Sequence, residues 1–292
     1  SRFPAMTLTP EVIERLVEFK DAAHSPFNHE VVWQAASIAF RAELPKKDPA
    51  KITSLMALLK GSGSYETFAL ALRAAQENDH STAITQMDKF LTTPGIPKPL
   101  RRFVNTAHLL MARDLYSMKQ FDRAGVHLKQ VTKSSNELAH ALSELSWAFL
   151  MNDRLSEAIG TAMNLQAGGL RHTFAPEAPM VMAMALNELC QYPESVKAIN
   201  VFRKNYEKPY QWLRKGITNN LYPEAAQYVR KAGTVPDRIA SEWIRSPLFI
   251  SSQDELNLLF DEKESTALLG RSGAVEQSKL AQNVLTSSLP LP

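Results

Sequence analysis

The sequence predicts an all-α protein, a solenoid of stacked antiparallel helix pairs. Three observations carry that prediction. Glycine is scarce, 11 of 292 residues, against a usual share of about 7%; this disfavours folds that need many tight turns or phosphate-cradling loops. Apolar residues recur at three-to-four spacing along most of the chain, the periodicity of amphipathic helices. The pattern also repeats. Ala83, Ala124, Ala158 and Ser195 open the second half of four similar helix–turn–helix units, at successive separations of 41, 34 and 37 positions.

The elements follow in order. Residues 1–60 form a helical N-terminal extension. Thr9 is placed as an N-cap with Pro10 in the first turn, and helices are expected over Glu11 to Ala23, Glu30 to Phe40 and Lys51 to Leu59. Gly61-Ser62-Gly63-Ser64 reads as a flexible joint. Residues 64–208 then hold four repeats. In the first, Leu70, Ala71 and Ala74 precede His80, Ala83, Met87 and Phe90, and the Pro94 to Pro99 breaker adds seven residues before the next. In the second, Leu109, Met111, Ala112 and Leu115 lead through a polar break at Lys119-Gln120 to Phe121, Ala124, Leu128 and Val131. In the third, Leu142, Leu145, Ser146 and Phe149 lead through Asn152-Asp153 to Leu155, Ala158, Ala162 and Leu165. In the fourth, Met182, Ala183 and Leu186 precede Tyr192, Ser195, Ile199 and Phe202, and Gly168-Gly169 marks the loop that absorbs three extra residues. Residues 209–250 read as a degenerate helical hairpin with Tyr222, Ala225 and Val229 in phase. Residues 251–292 form a capping tail with polar helices over Gln253 to Phe260 and Glu276 to Leu285.

The repeat has a steric reason. Two antiparallel helices approach closely only where small side chains meet, and Ala71, Ala112, Ser146 and Ala183 supply them on the first helix of each pair. A lone hairpin cannot bury its apolar face, so several must stack.

Charge and motifs exclude more than they assign. The formal charge is +3, from 33 basic and 30 acidic side chains. The eight Lys and Arg between Lys98 and Lys133 fall at mixed helical phases and read as solvated surface, so no nucleic-acid partner is expected. No apolar run approaches the ~18 residues of a membrane span; Met180 to Leu186 suits a buried helix. The chain opens at Ser1 rather than Met, as either a processed or a trimmed form would, so the start carries no inference about secretion. Its one thiol, Cys190, is expected as a buried small hydrophobe beside Leu186 and Leu189. His29-Glu30 starts a zinc-protease pattern that fails at Trp33. His140 and Glu144 share a helical face, where a surface hydrogen bond is expected. The Gly61 to Ser64 and Gly270 to Gly273 stretches lack the Lys of a phosphate loop, and Asp261-Glu262 lies in a solvated acidic stretch. No catalytic residue, cofactor or metal is therefore assigned, and a non-enzyme is expected.

A 34-residue spacing is that of the tetratricopeptide repeat (TPR). The segment Ala141 to Tyr206, with Leu142, Glu144-Leu145, Trp147-Ala148, Phe174, Pro176-Glu177-Ala178, Leu189-Cys190, Tyr192, Phe202 and Tyr206 in order, resembles the TPR proteins of deltaproteobacterial and predatory-bacterial envelopes, some of which accompany gliding-motility machinery. This wording covers about a quarter of the chain and the wider TPR likeness about half. It departs from the family where the first helix, usually carrying Gly, has Ala or Ser in all four repeats. The resemblance implies a right-handed TPR-like solenoid in a periplasmic or envelope-associated protein that binds a partner, with a cytoplasmic location as the alternative.

In such solenoids the first helix of each repeat lines the concave face. That mapping nominates Tyr65, Phe68 and Leu72; Thr106, Leu109 and Arg113; His140, Ser143, Trp147 and Met151; and Glu177, Met180 and Met184. The set is largely apolar with one strong charge, Arg113. The Lys and Asn with which TPR proteins clamp a terminal carboxylate are absent. A partner helix or extended apolar peptide suits such a groove, although Trp147 could equally plug the space between repeats. The chain's own segment from Leu256 to Leu285 is a further possible occupant. The expected function is a non-catalytic interaction scaffold of a bacterial envelope complex; the alternatives are an accessory domain of a cell-wall enzyme and a regulator shut by its own tail.

Overall fold

The structure, a computed structural model, describes residues 29–216 and 235–245. The chain divides into two compact units, Thr7–Glu242 and Ser1–Met6 with Trp243–Pro292; apart from 243–245, the described residues belong to the first. The expected helix Glu11 to Ala23, the hairpin residues Tyr222, Ala225 and Val229, and the two C-terminal helices lie outside the described residues.

Twelve α-helices and no strand occur among the described residues. They are α1 (His29–Glu43), α2 (Pro49–Leu59), α3 (Ser64–Gln76), α4 (His80–Thr92), α5 (Lys98–Arg101), α6 (Val104–Ser117), α7 (Phe121–Leu128), α8 (Leu138–Met151), α9 (Leu155–Asn164), α10 (Glu177–Glu188), α11 (Tyr192–Gly216) and α12 (Asp237–Arg245). The start of α2 illustrates the local chemistry. Pro49 fixes the first turn, and the Asp48 carboxylate accepts from the Ala50 and Lys51 amides, two of the donors a helix start leaves unpaired.

The helices pack in adjacent pairs: α1 with α2, α3 with α4, α6 with α7, α8 with α9 and α10 with α11. Each second helix also packs on the first helix of the following pair, α4 on α6, α7 on α8 and α9 on α10. The small residues sit at the crossings. Ala71, Ala83, Ala112, Ala124, Ser146 and Ala158 are all buried. In the last pair the Ser195 hydroxyl donates to the Ala183 carbonyl at 2.8 Å. A single apolar core runs from Ala36 to Ala185.

Four of these pairs turn in one way. Asn78, Lys119, Asp153 and Cys190 all adopt left-handed φ between 55° and 59°. The amide of the next residue then reaches back five positions: Asp79 to Ala74, Gln120 to Leu115, Arg154 to Phe149 and Gln191 to Leu186, at 2.8–2.9 Å. This is the Schellman closure of a helix end. Each left-handed residue lies five positions before Ala83, Ala124, Ala158 or Ser195, whose amides bond the carbonyls of Asp79, Gln120, Arg154 and Gln191. One turn geometry thus serves all four hairpins without glycine.

Three expectations need correction. Cys190 is exposed because it is the turn residue of its hairpin. Gly61 to Ser64 is no flexible joint: Gly61 and Gly63 take positive φ, the Gly61 amide is bonded by Glu66, and Ser62 is buried, so α2 packs directly on α3. Pro209 does not end the fourth pair. It lies inside α11, which continues to Gly216.

Candidate functional site

The nominated groove residues occupy three registers relative to the small residue of each first helix. Three positions before it stand Phe68, Leu109, Ser143 and Met180. The first three are buried; Phe68, which packs on Phe90 of its own hairpin and on Phe103, and Leu109 belong to the core and not to an open groove. Met180 is exposed. Six positions before stand Tyr65, Thr106, His140 and Glu177. Tyr65 is buried, and the Thr106 hydroxyl donates to Glu137 at 2.5 Å. Glu177 is half-buried, with the Ser143 hydroxyl 3.5 Å away. One position after stand Leu72, Arg113, Trp147 and Met184, and this register faces outward: Arg113 and Met184 are exposed, Leu72 and Trp147 half-buried. Met151, one turn beyond Trp147, is also exposed.

This outward register builds a pocket of about 510 Å³ between the second and third hairpins. Ala112, Arg113, Tyr116 and Ser117 come from α6, Leu128 from α7, and Glu144 and Trp147 from α8. Ala112 and Leu128 are buried and give an apolar floor. Tyr116 and Trp147 supply aromatic walls, with Tyr116 held edge-on by Phe121 at 5.0 Å between ring centroids. At the rim, Arg113 donates to the Glu144 Oε1 from Nη2 at 2.6 Å and from Nε at 2.9 Å. Of the nominated residues, the pocket brings together Arg113 and Trp147; Ala112, Tyr116, Ser117, Leu128 and Glu144 complete it.

The ionisable groups of the site are held in local pairs. The Arg113–Glu144 pair satisfies itself. The Ser117 hydroxyl donates to the Arg113 carbonyl. Burial alone pushes the Tyr116 phenol above its ordinary range, keeping it a neutral donor. The His140–Glu144 hydrogen bond expected from their shared face is replaced: Glu144 pairs across helices with Arg113, while His140 Nε2 meets Glu242 of α12 at 3.2 Å. That contact with Glu242 raises the His140 pKa above its ordinary value, against the lowering effect of burial. Arg238, one turn earlier on α12, donates to the Thr173 carbonyl at 3.0 Å and lies over the Tyr206 ring.

Two histidine contacts elsewhere were not singled out by sequence. His80 Nδ1 meets the buried Asp114 carboxylate at 2.7 Å, joining the first hairpin to the second. Burial pushes the Asp114 carboxyl up despite this partner. His108 and His127 bring their Nδ1 atoms to 3.1 Å between α6 and α7. Burial, followed by the charge of His127, lowers His108 to about 4. No group of three or more His, Cys, Asp or Glu suited to a metal occurs among the described residues. No described helix is long and apolar enough to cross a membrane.

No family profile matches the chain, and no solved structure matches it. Among curated proteins, a Trp operon repressor homolog of Aliivibrio salmonicida (strain LFI1238) is 32% identical over 94 residues, covering 30% of this chain and 83% of that protein. Over that stretch the chain belongs to the family of this Trp operon repressor homolog.

Proposed function

We propose that this chain is a non-catalytic scaffold of the TPR type, in which the pocket between the second and third hairpins receives a partner helix or an extended apolar peptide. The observation that carries the reading is that pocket: an apolar floor, two aromatic walls and a self-satisfied ion pair at the rim. A site with these features favours desolvation of an apolar side chain and holds no activated nucleophile among its lining residues. Exposed Met151 and Met184 extend an adaptable apolar surface on the same helix faces. A periplasmic or envelope setting fits the likeness of Ala141 to Tyr206 to envelope TPR proteins; a cytoplasmic one is the alternative.

The test is partner recovery by wild type against Arg113→Ala and the double variant with Trp147→Ala. Loss of a defined partner in both supports the pocket. Equal recovery rejects it.

A second reading comes from the comparison. The 94-residue likeness to a Trp operon repressor homolog supports a regulator of transcription in which the hairpins carry a further interaction. Titration of labelled duplex DNA at two salt concentrations decides between them. Saturable, sequence-selective binding favours the repressor reading, and absence of binding removes it.

A further inference from the structure

We infer that a cavity between α1, α3 and α5 is a binding site for a phosphate group, free or at the end of a small ligand, held between Arg41 and Arg102. The site starts from a charge without a counter-ion. Arg41, in the last turn of α1, is half-buried, and its Nη1 is buried and donates to no acceptor. Buried polar groups are as a rule hydrogen-bonded, and a buried charge without a partner is more unfavourable still. The carboxylate two residues on, Glu43, pairs with Lys51 at 3.8 Å. Arg41 meets a second cation instead. Its guanidinium carbon lies 4.0 Å from the centre of the Phe103 ring, and that of Arg102 lies 4.7 Å from the same point. The ring takes the face of a guanidinium and leaves the in-plane N–H donors for other acceptors. Burial, and after it Arg102, lowers the Arg41 pKa to about 10, so both charges persist at neutral pH.

Both guanidiniums line one cavity of about 10 Å³, room for about one oxygen-sized atom. Tyr65 and Leu100 are buried and form its floor, while Ile38 and Arg102 are exposed and form its rim. No Asp or Glu lines it. The hydroxyl of buried Ser37, four positions before Arg41 on the same face of α1, is a further donor in the lining. The occupant must therefore place one oxygen inside, against Arg41, and keep others at the rim for Arg102. A phosphate group does this. It is tetrahedral, carries about −1.5 to −2 at neutral pH against the two guanidinium charges, and accepts paired N–H bonds from Arg. The carbon part of a phosphate monoester stays outside, beyond the rim. A carboxylate brings one charge and two oxygens, and leaves the second guanidinium uncompensated.

The test is isothermal titration calorimetry of the full chain with inorganic phosphate and with glycerol 3-phosphate, up to about 20 mM at constant ionic strength. One site with a Kd of about 1 mM or tighter is expected. Binding of both probes assigns a phosphoryl group on a small ligand, and binding of inorganic phosphate alone assigns the free ion. Arg41→Gln should abolish the binding heat. Arg102→Gln, at an exposed position, should weaken binding at least tenfold with unchanged helical circular dichroism, and it decides the matter where Arg41→Gln fails to fold. Absence of saturable heat with both probes overturns the inference and leaves water as the acceptor at Nη1. So does binding that survives Arg102→Gln undiminished, or acetate that binds as tightly as phosphate.

Discussion

Acidification should loosen the second hairpin through His108. Its Nδ1 lies 3.1 Å from that of His127, so one shared proton suffices and a second places like charges at hydrogen-bond distance. Burial first, then His127, lowers His108 from 6.5 to about 4; burial lowers His127 as well. The sign comes from proton uptake. Between about pH 6.5 and 4 the unfolded chain binds the proton and the folded chain does not, so stability is full above 6.5 and declines as pH falls. At pH 5.0 linkage with these two values gives about 2 kcal/mol for His108. The ring is only half-buried, and solvent screening reduces this to about 1 kcal/mol. For a described unit of this size that is about 2–4 °C in Tm. The assay is thermal or urea unfolding of wild type and His108→Gln at pH 7.5 and 5.0. The variant should lose about 1 kcal/mol less on acidification. Equal losses in the two proteins would refute the assignment of acid sensitivity to this pair.

Other substitutions test the turns and the crossings. Lys119 and Cys190 hold left-handed φ without the short polar side chain that eases it, so Lys119→Gly and Cys190→Gly should each stabilise by about 0.5–1 kcal/mol in urea melts; Asn78→Gly should change little. Asp114→Ala should destabilise by about 2–3 kcal/mol, since it strands the hydrogen-bonded His80 at the contact between two hairpins. Ala124→Leu, at a fully buried crossing, should cost at least about 3 kcal/mol or abolish folding, read by loss of the cooperative melt. Arg113→Ala should shift stability by under about 1 kcal/mol, because its pair with Glu144 is half exposed, even though it alters the pocket rim.

The helix pairs were legible because each places a small residue twelve positions before another, Ala71 to Ala83, Ala112 to Ala124, Ser146 to Ala158 and Ala183 to Ser195. That spacing results from two helices crossing over one fixed turn. The turn itself was less legible. Sequence reasoning looks for glycine at a left-handed position, and here Asn, Lys, Asp and Cys fill it. The shortage of glycine is thus met partly by accepting strain at Lys119 and Cys190. Cys190 was misplaced for the same reason, since an apolar neighbourhood in sequence says nothing about a residue forced out at a turn.

The pocket was half legible, and the missing half has a simple geometric source. Arg113 and Trp147 are equivalent residues of successive first helices, one position after Ala112 and Ser146. Equivalence by repeat does not mean contact. Arg113 pairs with Glu144, which lies one helical turn before Trp147, an offset of 31 where the repeat is 34. Thr106 and Glu137 meet at the same offset of 31. The stacked first helices are therefore staggered by about one turn, and side chains leaning toward their own N-termini produce such a stagger. Apolar character alone could not find this, because Phe68 and Leu109 look as suited to a groove as Trp147 does, yet they are buried in the core. A charged residue placed 31 positions after an opposite charge was the available signal. It separates the buried register from the open one, and it locates the rim of the pocket at the two lining residues whose charges oppose.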